Sequence, residues 1–183
     1  MMRTLRFLGI AAAVAALSTP VHIEAQEADP ADVSSIGALI TAVYDVISGD
    51  AGEPRDWDRW RTLFAPGATL SPTGPGPDNS WQRAIFTSEE YVERAGPALM
   101  QGFVEAEIGR KVERFGNIAH AFSAYESFRS RADTEPFDRG INSFQLLFDG
   151  DRWWVVSIFW QAESADYPIP AEYIGELEER GES

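Results

Sequence analysis

Apolar residues recur at helical spacing in the first part of the chain and at every second position in the last part. The helical period covers 36–47, and shorter patterns predict further helices over 57–64 and from about 89 to 100. Asp56 and Ser88 stand immediately before the second and third of these segments, where their side chains are suited to cap a helix N-terminus. The sequence therefore predicts three helices.

Four long segments with a period of two follow the helices. They are 103–115, 117–130, 139–149 and 152–162, and they are rich in aromatic and β-branched residues. Gly116-Asn117 and Asp149-Gly150 are signals for tight turns, so the four strands are predicted to pair as an antiparallel meander. Helices followed by antiparallel strands predict an α+β domain with the helices on one face of a curved sheet.

The N-terminus has the pattern of a secretory signal peptide. Arg3 and Arg6 precede an apolar run from Phe7 to Leu17, and the small residue Ala25 provides a cleavage site. The run is about half the ~20 residues that a membrane-spanning helix needs, so no permanent membrane anchor is expected. The alternative is an apolar start to a helix of a cytoplasmic protein. We expect a periplasmic or secreted protein.

These patterns divide the chain into four segments. A signal peptide over 1–25 and a disordered linker over 26–31 precede one domain over 32–165, and an acidic tail over 166–183 follows it. The tail contains two prolines and five glutamates, and an acidic segment of this kind is typically solvated.

Charge and composition exclude several classes of function. The chain has 29 acidic and 15 basic residues, a formal charge of −14, so it lacks the excess of Lys and Arg that nucleic-acid binding needs. It has no cysteine, which excludes thiol nucleophiles, iron–sulfur clusters, thiolate zinc sites and disulfides. Because metal-spaced clusters, phosphate loops and nucleophile elbows are also missing from the sequence, we expect no metal and no cofactor.

Between residues 33 and 163, the predicted order of elements is accompanied by three distinctive phrases. They are WDRWRTLFAPGATLSP, FGNIAHAFSAYESF and GINSFQLLFDGDRWWVVSIFWQAES. Together they resemble the nuclear-transport-factor-2-like superfamily, and are most similar to its uncharacterised bacterial members near the polyketide cyclases (SnoaL-like). The resemblance implies a cone-shaped antiparallel sheet wrapped around three N-terminal helices, an apolar pocket and often a dimer through the outer face of the sheet.

The same resemblance bears on activity. The superfamily includes ketosteroid isomerases, scytalone dehydratase, limonene-epoxide hydrolases and polyketide cyclases, alongside many non-catalytic modules. In the isomerases a catalytic aspartate follows the first strand, and Ser71 of the phrase ATLSP stands nearest to its place here. A serine in place of the catalytic aspartate favours an exported small-molecule-binding or dimerisation module. The alternative is a lyase, isomerase or cyclase acting on a polyketide- or terpenoid-like molecule, so whether the protein is an enzyme stays open.

The hairpin register predicts which side chains of the first two long strands face the helices. With a two-residue loop at 116–117, Arg110 opposes Ser123 and Ile108 opposes Tyr125, all on one face. The other face carries the glutamates Glu105, Glu107 and Glu113. Because three unpaired glutamates are costly to bury, this second face is predicted to look outward. A bulge in either strand would switch these assignments beyond it.

Several side chains are candidates to line a pocket for a small, mainly apolar molecule. Arg110 and Tyr125 are suited to bind a carboxylate or enolate oxygen. In the alternative interpretation, Arg110 pairs with a helix acid such as Asp45 or Glu93, and Tyr125 belongs to the core. The predicted ligand-binding residues are Tyr44, Trp60, Arg110, Ser123, Tyr125, Asn142 and Trp160.

His120 is the candidate catalytic residue, because removal of a signal peptide would leave it as the only histidine. One hypothesis makes it a general base near neutral pH, paired with Glu113 across the hairpin. The alternative makes it a structural or interface histidine, since the alternation places it on the outward face.

The last strand is apolar on both faces, with Trp153 and Val155 on one side and Trp154 and Val156 on the other. Only one face can contact the helices. We therefore expect a homodimer through the outer face of the sheet.

Overall fold

The computed structural model of the chain describes residues 27–78, 80–175 and 177. The predicted signal peptide, 1–25, lies outside the described residues, so cleavage and export stay predictions, as do the four segment boundaries. Within the part of the chain that is described, no helix is both long enough and apolar enough to cross a membrane.

The described residues contain the three predicted helices and one additional short α-helix. The helices are α1 Pro30–Val33, α2 Ile36–Ile47, α3 Trp57–Leu63 and α4 Ser88–Leu99. Asp56 caps α3 as predicted, and its carboxylate accepts a hydrogen bond from the backbone N–H of Arg59. The cap of α4 is Thr87 instead of Ser88, because Thr87 forms a capping box with Glu90. The Ser88 hydroxyl instead accepts the indole N–H of a buried tryptophan.

Seven strands in the described residues form one mixed sheet. They are β1 Phe64–Pro75, β2 Trp81–Arg83, β3 Phe86–Thr87, β4 Val104–Phe115, β5 Ile118–Phe128, β6 Asp138–Phe148 and β7 Trp153–Ala162. The order is β2-β1-β7-β6-β5-β4, and β3 also pairs with β1. The predicted antiparallel meander from β4 to β7 is confirmed. The expected antiparallel sheet holds for these four strands, but the sheet as a whole is mixed, because β1 pairs in parallel with β7, from which it is separated by a long crossover.

The core lies between α2 and the inner face of the sheet, by which we mean the face covered by the helices. Leu39 and Ile40 of α2 and Phe144 and Val155 of the sheet are fully buried. Each such side chain contributes about 1.5–3 kcal/mol of burial free energy. The packing of α2 brings Tyr44 edge-on to Phe144, with ring centroids 6.3 Å apart, and so points its hydroxyl at the sheet.

A buried arginine that the sequence analysis missed connects the ends of two helices. The Arg55 guanidinium donates hydrogen bonds to the carbonyls of Ile47 at 2.8 Å, Gly49 at 2.9 Å and Leu99 at 2.8 Å. These carbonyls belong to the end of α2, the turn after it and the end of α4. Arg55 therefore satisfies orphan helix carbonyls and fixes α4 against α2.

The predicted register between β4 and β5 holds near the turn and fails beyond Gly109. Arg110 opposes Ser123 as predicted, but Tyr125 opposes Glu107 instead of Ile108. The register shift between residues 107 and 109 is a β-bulge, which moves the side-chain alternation by one position. Two glutamates predicted to face outward, Glu105 and Glu107, therefore lie on the inner face, whereas Glu113 remains exposed.

The segment after β7 crosses the outer face of the sheet. It contains a short 3-10 helix, Ala171–Tyr173, and the Tyr173 ring contacts Phe122 with centroids 5.6 Å apart. Further on, the Gly175 N–H donates to the carbonyl of Ile108 at 2.8 Å. A side chain at Gly109 would overlap the Tyr173 carbonyl. Tyr173 and Gly175 thus contact the sheet, whereas most side chains between residues 166 and 175 are exposed. The solvated tail stays a prediction.

Candidate functional site

A cavity of about 230 Å3 lies between the helices and the inner face of the sheet. Most of its wall is apolar and comes from α2, the end of α4 and the sheet. These side chains are Val43, Ile47, Leu70, Leu99, Phe144 and Ile158. An apolar cavity of roughly 150 Å3 holds benzene, so this one accommodates a ligand of about ten non-hydrogen atoms. It lies just below the roughly 300–1,000 Å3 of drug-sized sites.

The carboxyl of Glu105 on β4 projects into the cavity and titrates near neutral pH. It accepts hydrogen bonds from the Ser127 hydroxyl at 3.0 Å and the Asn142 amide at 3.2 Å. Burial raises the pKa of Glu105 to about 7, although these two hydrogen bonds oppose the effect, and the charge of Asp138 raises it further. Both protonation states are therefore populated at neutral pH, which is what a general acid–base group needs.

The other titratable groups of the cavity are neutral donors or a second acid. Burial raises the pKa of Asp138 above its usual range. Burial also raises the pKa values of Tyr91 and Tyr125, so both phenols keep their protons and can donate hydrogen bonds to a ligand. Among the described residues that line the cavity there is no lysine, arginine or histidine. Its polar end therefore combines the carboxyls of Glu105 and Asp138 with uncharged donors.

A buried ion pair lies behind this polar end. Arg110 donates two hydrogen bonds to the Glu107 carboxylate, each at 3.0 Å, and both side chains are less than one-tenth exposed. The bulge makes this pair possible, because it places both residues on the inner face. Arg110 therefore pairs with an acid as the alternative interpretation required, but the described partner is on its own strand and is neither Asp45 nor Glu93. Ser123 donates to the same carboxylate at 2.5 Å.

Two side chains join the ion pair to the cavity. The Tyr44 hydroxyl lies 2.7 Å from Ser123 Oγ and accepts a hydrogen bond from the Asn142 amide at 3.0 Å. Burial raises the pKa of Tyr44 well above its usual value, so the phenol is protonated. Because Asn142 also donates to Glu105, a continuous path of hydrogen bonds runs from the ion pair to the cavity carboxyl.

The structure places most of the predicted ligand-binding residues around this cavity. Those in its wall are Tyr44, Trp60, Tyr125, Asn142 and Trp160. Arg110 and Ser123 are absent from the described lining and lie behind it, in the path of hydrogen bonds. The binding roles themselves stay predictions.

His120 lies on the outer face, and it is not among the described residues that line the cavity. Its Nε2 is 3.0 Å from Ser143 Oγ, and its ring lies edge-on to Phe122 with centroids 4.6 Å apart. Glu113 is its neighbour across the hairpin, as predicted. This position agrees with the structural alternative, and a catalytic role for His120 stays a prediction.

Glu105, Ser127 and Asp138 are members of the site that the sequence did not indicate. The hairpin register, when it is extended past residue 108 without a bulge, places Glu105 on the outer face. A glycine inside a strand pattern is a signal for a bulge, and Gly109 stands at this point. The described residues contain no cluster of His, Asp or Glu suited to hold a metal ion.

Comparison with known proteins identifies the fold. No family model and no curated protein matches the chain. A crystal structure from Nostoc punctiforme, described as a protein of unknown function with a cystatin-like fold, matches with a TM-score of 0.55 and 13% identity over 76% of this chain and 96% of that one. LinA matches with a TM-score of 0.54 and 8% identity over 72% and 85% of the two chains.

A protein of unknown function from Shewanella baltica, described as NTF2-like, matches with a TM-score of 0.46 and 14% identity over 69% of this chain and 90% of that one. At these identities the likenesses to the Nostoc protein and to LinA establish the fold alone. The expected α+β, cystatin-like fold is confirmed.

Proposed function

We propose that this protein binds a small, mainly apolar molecule in the cavity and that Glu105 transfers a proton to or from it. The observation that carries the proposal is a carboxyl with a pKa of about 7 at the polar end of an apolar cavity. The sequence favoured a module without chemistry because no acid was expected in the pocket. Glu105 supplies that acid, so we assign the protein to the lyase, isomerase or cyclase class.

The lining residues indicate what the ligand carries. A carbonyl oxygen that accepts a hydrogen bond from the Tyr125 phenol would make its neighbouring C–H group more acidic, and Glu105 would remove that proton. A volume of about 230 Å3 fits a single ring of terpenoid size and is too small for a polyketide with several fused rings.

Deuterium exchange tests the proposed proton transfer. Monocyclic ketones such as cyclohexanone and cyclohexenone are incubated with the protein in D2O, and NMR follows deuterium incorporation next to the carbonyl. We expect the wild type to accelerate exchange and Glu105→Gln to lose at least about tenfold of that acceleration, since general-base catalysis typically contributes 10²–10⁴-fold.

The matched control is Glu113→Gln, which changes an exposed glutamate of the same strand outside the cavity. Equal exchange rates with the wild type and Glu105→Gln across the panel would contradict the proposed chemistry. Native mass spectrometry of the protein purified from its own host tests binding separately, because a retained small molecule is expected in the wild type.

A homodimer through the outer face of the sheet is supported by a row of exposed apolar side chains. Ile118 opposes Phe115 on one side and Leu147 on the other, and the three are 59%, 84% and 36% exposed. The contacts of the C-terminal segment lie further along the same face. Sedimentation velocity at tens of micromolar is expected to show a dimer that Ile118→Glu converts to a monomer. A monomeric wild type contradicts this assignment.

We also propose that the protein is exported after cleavage of a signal peptide. A basic start followed by a short apolar run supports cleavage near residue 25. N-terminal sequencing of protein from the periplasmic or culture fraction is expected to begin close to residue 26. An uncleaved chain found in the cytoplasm contradicts it.

A further inference from the structure

The ion pair behind the cavity determines the direction of a hydrogen bond next to it. A carboxylate only accepts hydrogen bonds, and both oxygens of the Glu107 carboxylate accept from the Arg110 guanidinium. Ser123 lies 2.5 Å from the same carboxylate, so its hydroxyl proton must point at Glu107.

The direction of each following bond depends on the one before it. A serine hydroxyl has one proton, and because Ser123 gives it to Glu107, the Ser123 oxygen must accept from Tyr44 at 2.7 Å. Tyr44 has then used its own single proton, so its oxygen must accept from Asn142 at 3.0 Å. Only the amide nitrogen of Asn142 can donate, so the amide cannot turn over without breaking this path.

The fixed amide faces the reactive carboxyl. Asn142 presents its second N–H to Glu105 at 3.2 Å, and a donor in this place favours the ionised carboxylate. If the amide turned over, its carbonyl oxygen would face Glu105 and would favour the protonated acid.

We propose that Arg110 and Glu107 are positioning residues, which act through Ser123 and Tyr44 to hold the Asn142 amide with its nitrogen towards Glu105. The proposal rests on the proposed function only in taking Glu105 as the acid–base group. It predicts that the protonation of Glu105 responds to substitutions that do not touch it.

The other polar groups that line the cavity with Glu105 do not impose such a direction. They are Tyr91, Tyr125, Ser127 and Asp138, from α4, β5 and β6. The Ser127 hydroxyl donates at 3.0 Å but is equally able to accept from a protonated acid. Asp138 acts through its charge and raises the pKa of Glu105. Asn142 differs from these groups, because the hydrogen bonds of Tyr44 and Ser123 determine the orientation of its amide.

The test is Ser123→Ala, which removes a hydroxyl that is separated from Glu105 by Tyr44 and Asn142. The readout is the titration of the Glu105 carboxyl carbon by carbon-13 NMR, with the signal assigned by its loss in Glu105→Gln. Without the Ser123 oxygen, the Tyr44 proton is free to turn to Asn142 and the amide can reverse. We expect the pKa of Glu105 to rise by about half a unit to one unit.

Ser71→Ala is the matched control, because it also removes a buried serine hydroxyl from the sheet but lies outside this path. It is expected to leave the titration of Glu105 unchanged. Tyr44→Phe provides a second variant that keeps the ring and interrupts the path one bond nearer to Glu105. Its shift is expected in the same direction and at least as large as that of Ser123→Ala.

An unchanged titration in folded Ser123→Ala and Tyr44→Phe would overturn the proposal, as would shifts of equal size in Ser71→Ala. The measurement needs no substrate. If the titration of Glu105 shifts in these variants but the wild type catalyses no deuterium exchange, the positioning role is supported and the proposed reaction is refuted. If the wild type catalyses exchange but the titration does not shift, the reaction is supported and the positioning role is refuted.

Discussion

Replacing Glu105 by Gln is expected to change how the stability of the domain depends on pH. A carboxyl with a raised pKa in the folded state keeps its proton between pH 4.5 and about 7, whereas the unfolded chain has already lost it. Stability therefore falls as the pH rises through this window. Glutamine cannot titrate, and its amide offers an acceptor for Asn142 and a donor for Ser127, so both hydrogen bonds can be kept.

The size of the effect follows from the two pKa values. A rise from 4.5 to about 7 corresponds to about 3 kcal/mol, since one unit is worth ~1.4 kcal/mol. Water that enters the cavity would reduce this, so we expect about 2–3 kcal/mol. We compare the free energy of unfolding of Glu105→Gln with that of the wild type. The difference at pH 7.5 minus the same difference at pH 4.5 isolates Glu105, because the contributions of other groups cancel.

Urea unfolding at half-unit steps between pH 4.5 and 7.5 measures this double difference. Glu105→Gln should gain stability relative to the wild type as the pH rises from 4.5 to about 7, and the gain should level off above pH 7. Glu113→Gln, the exposed glutamate of the same strand, should follow the wild type throughout. A double difference below about 0.5 kcal/mol would refute the claim that the Glu105 carboxyl is desolvated.

Two further substitutions test the elements that hold the site. Arg55→Lys should lower the free energy of unfolding by about 2–4 kcal/mol, since an ammonium cannot reach all the carbonyls that the guanidinium binds, and a loss below 1 kcal/mol in urea unfolding would contradict this. Gly109→Ala should displace the C-terminal segment, because the added methyl would overlap the Tyr173 carbonyl. Hydrogen exchange at the Gly175 amide, which donates to Ile108, should therefore accelerate. Gly74→Ala, whose methyl meets open space, should not change this exchange rate.

Much of the fold was predictable because its signals are local. The apolar period of α2, the Asp56 cap and the turn at 116–117 each specify backbone conformation over a few residues. The parallel pairing of β1 with β7 depends on contacts between segments far apart in the chain, which periodicity does not report. That part of the sheet therefore required the structure.

The site was less predictable, because one extra residue decides it. The alternation correctly places Arg110 and Tyr125 on the inner face. Arg110 lies where the hairpin register holds, and Tyr125 lies on β5, which continues without a break. Beyond the bulge at residue 108 the same rule assigns Glu105 and Glu107 to the wrong face. An interior glycine is only a weak signal for such a bulge. The cost of burying the charged glutamates therefore favoured the outward assignment of their face.

The central claim is that a desolvated Glu105 carboxyl exchanges its proton near neutral pH inside an apolar cavity. Direct titration of its carboxyl carbon by carbon-13 NMR in the wild-type protein tests this without knowledge of the ligand. We expect a single inflection at a pKa of about 7 that is absent from Glu105→Gln. An inflection at or below about 4.5, the value of a solvated glutamate, would contradict it.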